Sequence, residues 1–115
     1  MLNRSDVHYI EMMYGKKSTE YSIAEQLNII NERLNETNTV SLIKDCKMET
    51  ISYIATIVNK NDESYFILKK LQKNKNSGKV KEKVTEEKNA KKYQVLDHFI
   101  NFTAYDLLLK GYKLV

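Results

Sequence analysis

Apolar side chains recur at two different periods along this chain. Between residues 19 and 36, Ile23, Leu27, Ile30 and Leu34 fall three or four apart and make one stripe of a helix, with Glu25, Gln26, Glu32 and Arg33 off it. Residues 5–14 (SDVHYIEMMY) predict a shorter helix, N-capped by Ser5 or Asp6 and ended by Gly15, with Val7, Ile10 and Tyr14 on one face. Residues 90–110 predict a long C-terminal helix. Val95, Leu96, Phe99, Ile100, Thr103, Leu107 and Leu108 give it a broad apolar face, and Gly111 is placed to end it.

Residues 41–58 fit both periods. On a helical wheel Ile43, Cys46, Ile51, Ile54, Ile57 and Val58 share one half. Read as a strand, Ile51, Tyr53, Ala55 and Ile57 alternate on one face, in a stretch dense in β-branched residues. The helical pattern holds over more residues, so two short helices broken near Met48 are expected. After a turn at 59–63 the period becomes two. Residues 64–72 and 79–85 predict the arms of a β-hairpin, with Val80, Glu82 and Val84 on one face and the turn cluster KNKNSG at its tip.

Charge singles out the same hairpin. The chain of 115 residues has a net charge of +4, yet residues 69–92 alone hold ten Lys against three Glu. A basic block on a weakly acidic remainder points to a polyanion, bound with release of counterions. The length fits one domain, 1–115, in which 73–89 form a basic tip segment and 90–111 the C-terminal helix. The one cysteine, Cys46, excludes an internal disulfide and reads as a small core residue in a reducing compartment. The N-terminal residues lack the apolar run of a secretory signal, and no run reaches the length of a membrane-spanning helix. A soluble cytoplasmic protein is expected.

The chemistry of an enzyme is not visible. The two histidines, His8 and His98, have no partner at metal-ligand spacing. Gly15, Gly78 and Gly111 are too dispersed for a phosphate loop, and no serine sits in a nucleophile elbow. We therefore expect no enzymatic activity, no cofactor, no metal and no small-molecule substrate.

The order helices, helix–turn–helix, β-hairpin, helix resembles the winged helix-turn-helix DNA-binding proteins over residues 20–86. LIKDCKM (42–48) resembles the first helix and turn of the motif, ETISYIATIV (49–58) its recognition helix, and 64–85 its wing. The resemblance implies a mainly α fold with a small β-hairpin. The alternative is an α+β fold with a central antiparallel meander flanked by helices. The resemblance also implies double-stranded DNA as partner, with Thr50, Ser52, Tyr53 and Thr56 in the major groove, flanked by Lys44, Lys47 and Lys60. Lys73, Lys75, Asn76 and Lys79 would touch phosphates from the wing tip. The recognition helix departs from the family in having no Arg and in carrying Glu49, so it cannot read guanine through a guanidinium. A rival placement of the motif on 23–34 conflicts with the unbroken stripe through Leu34.

Such a protein would be a small regulator or accessory factor of transcription in a phage, plasmid or other mobile element. The width of the C-terminal apolar face predicts a homodimer joined through Leu96, Phe99, Ile100 and Leu107. Two other readings differ in class. One is a non-enzymatic inhibitor or adaptor that binds a protein partner. The other is an RNA-binding domain that stacks bases on Tyr65, Phe66 and Tyr93.

Overall fold

The computed structural model describes residues 21–115, and the helix expected over 5–14 lies outside them. The chain forms helix α1 (Ile23–Thr37), strands β1 (Thr39–Asp45), β2 (Glu49–Lys60), β3 (Glu63–Asn74) and β4 (Val80–Ala90), and then a second helical stretch. That stretch runs through α2 (Lys92–His98), a π-helical turn (Phe99–Ala104) and α3 (Tyr105–Leu109), and a short strand β5 (Lys113–Leu114) follows. The strands make one antiparallel sheet in the order β4-β3-β2-β1-β5.

The mainly α, winged-helix-like expectation is therefore overturned, and the architecture is α+β. The two helices expected over 41–58 are β1 and β2. In this register Ile57 faces the helices and Ile54 the other side of the sheet, whereas the wheel placed both in one half. Because both faces of β2 carry apolar groups, the residues mimic a helical stripe. The β-branched run and its alternation of Ile51, Tyr53, Ala55 and Ile57 were the true signal. Residues 49–58 cannot act as a recognition helix, because they are the central strand of the sheet. The remaining elements match the sequence patterns: α1, the β3–β4 hairpin and the C-terminal helix.

Local chemistry sets the boundaries. The Ser22 hydroxyl accepts the Glu25 N–H (3.1 Å) and donates to the Glu25 carboxylate (3.1 Å), which closes the first turn of α1. Asn38, left-handed at φ 61°, ends the helix. Asn61 and Asp62, both at positive φ, form a two-residue turn between the paired residues Lys60 and Glu63, the geometry that matches the twist of a hairpin. At the far end, the Asn74 side-chain carbonyl accepts the N–H groups of Asn76 (2.9 Å) and Ser77 (3.0 Å), and Gly78 takes φ 71° before β4 begins.

Val40, Leu42, Ala55, Ile57, Phe66 and Leu114 are buried on one face of the sheet. Ile29, Ile30 and Leu34 of α1 pack there, with Val95, Leu96, Phe99, Ala104, Leu107 and Leu108 of the C-terminal helix. The π turn is what makes the second helix fit. Phe99 and Ala104 are five residues apart and would diverge on a regular α-helix. A turn with i→i+5 bonding brings both into the core. Among the described residues, no helix is long and apolar enough to cross a membrane.

A candidate polyanion-binding face

The helix-side face of the sheet changes character from one edge to the other. Register places Leu114, Leu42, Tyr53, Lys70 and Lys83 in a single row across β5, β1, β2, β3 and β4. The row starts in the core and ends in two ammonium groups. The next row, towards the arm's tip, runs Lys44, Ile51, Gln72 and Lys81. On the β3–β4 arm the residues from Lys73 to Glu87 are all exposed, so the distal arm is solvated on both faces.

Two tyrosines hold Lys44 and Lys70 of this face in place. The Tyr53 and Tyr112 rings meet edge to face at 5.4 Å. The Lys70 ammonium lies 5.6 Å from the Tyr53 ring centroid, and the Lys44 ammonium 5.8 Å from that of Tyr112, both within the range of a cation–π contact. Burial raises the Tyr112 hydroxyl above the ordinary tyrosine range, with a further contribution from neighbouring Tyr53. Among the described residues, no carboxylate lies within ion-pair distance of Lys44, Lys70, Lys81 or Lys83.

The opposite face of the arm is balanced. There Lys69 pairs with Glu82 at 3.4 Å, and Val80 and Val84 stand exposed between the charges. At the tip, Lys75 reaches back to Asp45 at 2.6 Å, and its N–H donates to the Met48 carbonyl, which joins the arm to the β1–β2 turn.

The residues expected to touch DNA do not form one surface. Tyr53 and Lys44 lie on the helix-side face, whereas Thr50, Ser52 and Thr56 lie on the other. Lys47 is exposed in the β1–β2 turn, next to the tip residues Lys73, Lys75, Asn76 and Lys79. Lys60 sits at the other end of β2, some eleven residues from Glu49, or roughly 36 Å at strand rise. Of the residues assigned to a dimer interface, Leu96, Phe99 and Leu107 lie in the core of the single chain, and Ile100 is half-buried against it. The three aromatics of the RNA reading are also dispersed. Phe66 is buried 5.2 Å from Phe99, Tyr65 donates to Glu63 on the other face, and Tyr93 is exposed on α2. Cys46 is half-buried in the β1–β2 turn and not in the core.

Sequence reasoning missed Lys70, Lys81, Lys83 and Tyr112. Lys81 and Lys83 had a legible signal. The alternation in KVKEKV puts Val80, Glu82 and Val84 on one face, and therefore Lys81 and Lys83 on the other. Tyr112 had none, because its place depends on the turn after α3 and the pairing of β5 with β1.

A second concavity, a groove of about 570 Å³, runs between α1 and α2 and is lined by Leu27, Asn28, Asn31, Asn35, Lys92 and Tyr93 among others. Its polar groups are the carboxamides of Asn28, Asn31 and Asn35 with Lys92 and Asp97, and the Asp97 carboxylate accepts a hydrogen bond from the Asn101 carboxamide (3.0 Å). Among the described residues, no group of three or more His, Cys, Asp or Glu converges as a metal site would require. Neither a protein-family model nor a curated protein nor a solved structure shows significant similarity to the chain.

Proposed function

We propose that this protein binds double-stranded DNA through the basic β3–β4 arm, without a helix-turn-helix. One observation carries the reading. Residues 69–83 place seven lysines and a single Glu on the β3–β4 hairpin, with β4 as the edge of the sheet and the residues from Lys73 onward exposed. Flexible ammonium groups serve phosphates better than base edges, so binding is governed by backbone contacts and carries little sequence preference. The regulatory or accessory role in a mobile element remains part of this proposal, as does the cytoplasm as its place of action.

Gel shifts with random-sequence duplex at two salt concentrations test it. Affinity falls steeply with salt, and replacing Lys73, Lys75 and Lys79 by Ala lowers the log–log slope by about one unit per lost phosphate contact. Unchanged affinity and slope in the triple variant would remove the tip of the arm from the interface.

A protein partner is the second reading, and a specific feature favours it. Phe102, Tyr105 and Leu109 are exposed on the C-terminal helix at spacings that share one side, beside His98, whose ring contacts that of Phe102 at 4.8 Å. Binding through such a stripe is largely insensitive to salt, and this separates it from the first reading.

A further inference from the structure

Lys70 and Lys83 stand directly opposite each other on neighbouring strands, on one face of the sheet. Like charges in that position destabilise a sheet. Among the described residues neither has a carboxylate within ion-pair distance, although at the adjacent position of β3, on the other face, Lys69 is paired with Glu82. On the strands, the acids of the helix-side face are Glu49 and Glu87, at the registers of Asn74 and Phe66, while Asp106 of α3 is already paired with Lys110 at 2.7 Å. Each of the two strand acids is four residues along β3 from Lys70, or roughly 13 Å. Lys81 continues the unneutralised charge towards the tip. Lys44 lies across the sheet in the same row as Lys81, and Lys44 and Lys70 are both held against tyrosine rings. A local cost in stability is thus tolerated at one place, where the positive groups are already positioned.

We infer that the helix-side face of the arm is the phosphate-binding surface. Phosphate oxygens bridge Lys70, Lys83 and Lys81 there, with Lys44 at its margin, while the outer face of the arm stays free. The identification of the anion as DNA rests on the function proposed above. The chemistry, a multiply charged phosphate, rests on the lysines alone.

Two double variants of the full chain decide this. Lys70→Gln with Lys83→Gln removes the inner pair, and Lys69→Gln with Glu82→Gln removes the outer one. Each is titrated with fluorescent random-sequence duplex DNA over a range of salt, and melted with and without inorganic tripolyphosphate. The inner variant loses about tenfold or more in DNA affinity, and its salt slope falls by about two units. Without ligand at low salt, Lys83→Gln alone, which keeps the Lys70–Tyr53 contact, melts about 1–4 °C above the wild type, because the like-charge contact is gone. A purely structural role for these lysines gives the opposite shift. Tripolyphosphate raises the melting temperature of the wild type but not of the inner variant, and the outer variant behaves as wild type in every assay.

An inner variant that binds DNA with unchanged affinity and slope overturns the inference, as does loss of binding confined to the outer variant. If DNA binds neither wild type nor variant, while tripolyphosphate still protects only proteins with the inner pair, the site stands and the DNA reading falls. If neither probe acts on the wild type, both fall.

Discussion

The carboxylate of Asp45, at the end of β1, holds the ammonium of Lys75, at the tip of the β3–β4 arm, at 2.6 Å. The two residues are thirty apart in sequence and belong to different turns. The contact meets the Lys75 N–H bond to the Met48 carbonyl (2.9 Å) and the Thr50 hydroxyl bond to Asp45 (3.3 Å), so a small network fastens the tip of the arm to the β1–β2 turn.

That network gives the first prediction. Hydrogen bonding to Lys75, and then its charge, holds the Asp45 carboxyl below the ordinary carboxylate range. Its pKa is lower folded than unfolded, so its contribution to stability is present above the unfolded pKa and disappears as pH falls through the folded one. The pair is solvent-exposed, so that contribution is small. A carboxyl-detected NMR titration finds Asp45 among the last carboxylates to protonate on acidification. In Lys75→Ala it titrates in the ordinary range, and an unchanged Asp45 titration would show that the tip contact does not form in solution.

The second prediction concerns the core. Phe99 is 2% exposed and contacts Phe66 with ring centroids at 5.2 Å. Phe99→Ala costs about 3–5 kcal/mol, a large part of the stability of a domain this size. Phe99→Asp leaves an unpaired carboxylate in the same place and unfolds the chain. Urea denaturation followed by circular dichroism measures the first, and loss of the cooperative transition marks the second. A folded, monomeric Phe99→Asp protein would instead support the dimer interface expected from the sequence.

The elements that were legible from sequence share one property: a single face meets the core. In α1, Ile30 and Leu34 are buried, with Ile23 and Leu27 packed against the core, as a stripe of period 3.6 demands. The β3–β4 hairpin announced itself through its turn residues, and Gly111 through its place after the last apolar turn. What misled was β2, which is central in the sheet and apolar on both faces, so that a wheel could gather Ile54 and Ile57 into one half. The C-terminal helix is not the straight α-helix its pattern predicts: the π turn from Phe99 to Ala104 gathers Phe99, Ala104, Leu107 and Leu108 against the sheet and α1, while Phe102, Tyr105 and Leu109 stay exposed. The basic hairpin was visible as composition. Which of its faces carries unneutralised charge follows from register with β3, and register depends on the turns at both ends.

A third prediction follows from the β2–β3 turn. Asn61 and Asp62 adopt φ of 52° and 62°, a region in which an L-residue with a β-carbon is strained. Asn tolerates it well, and glycine is the favoured residue at the second position of such a turn. Asp62→Gly therefore stabilises the protein by up to about 1 kcal/mol. In urea the midpoint rises with an unchanged m-value. A lower midpoint would mean that the Asp62 side chain contributes more than its backbone strain costs.

The last prediction joins the C-terminal cap to the lysine face. Gly111 has φ 91°, and its N–H and that of Tyr112 donate to the carbonyls of Leu108 (3.1 Å) and Leu107 (3.0 Å), closing the end of α3. A β-carbon at Gly111 would meet only the Lys44 Cε, at 3.9 Å, an ordinary contact. The cost of Gly111→Ala is then conformational, about 1–2 kcal/mol, and not steric. The same turn delivers Tyr112 against Tyr53 and under the Lys44 ammonium, so a displaced turn loosens both ring contacts as well as the pairing of Leu114 with Leu42. Gly111→Asn, which accepts a left-handed conformation more readily, retains more of the stability than Gly111→Ala. The order of melting temperatures is wild type, then Asn, then Ala, and the aromatic NMR shifts of Tyr53 and Tyr112 follow it. If the alanine variant melts as the wild type does, the chain ends α3 in some other way, and the placement of Tyr112 beneath Lys44 loses its support.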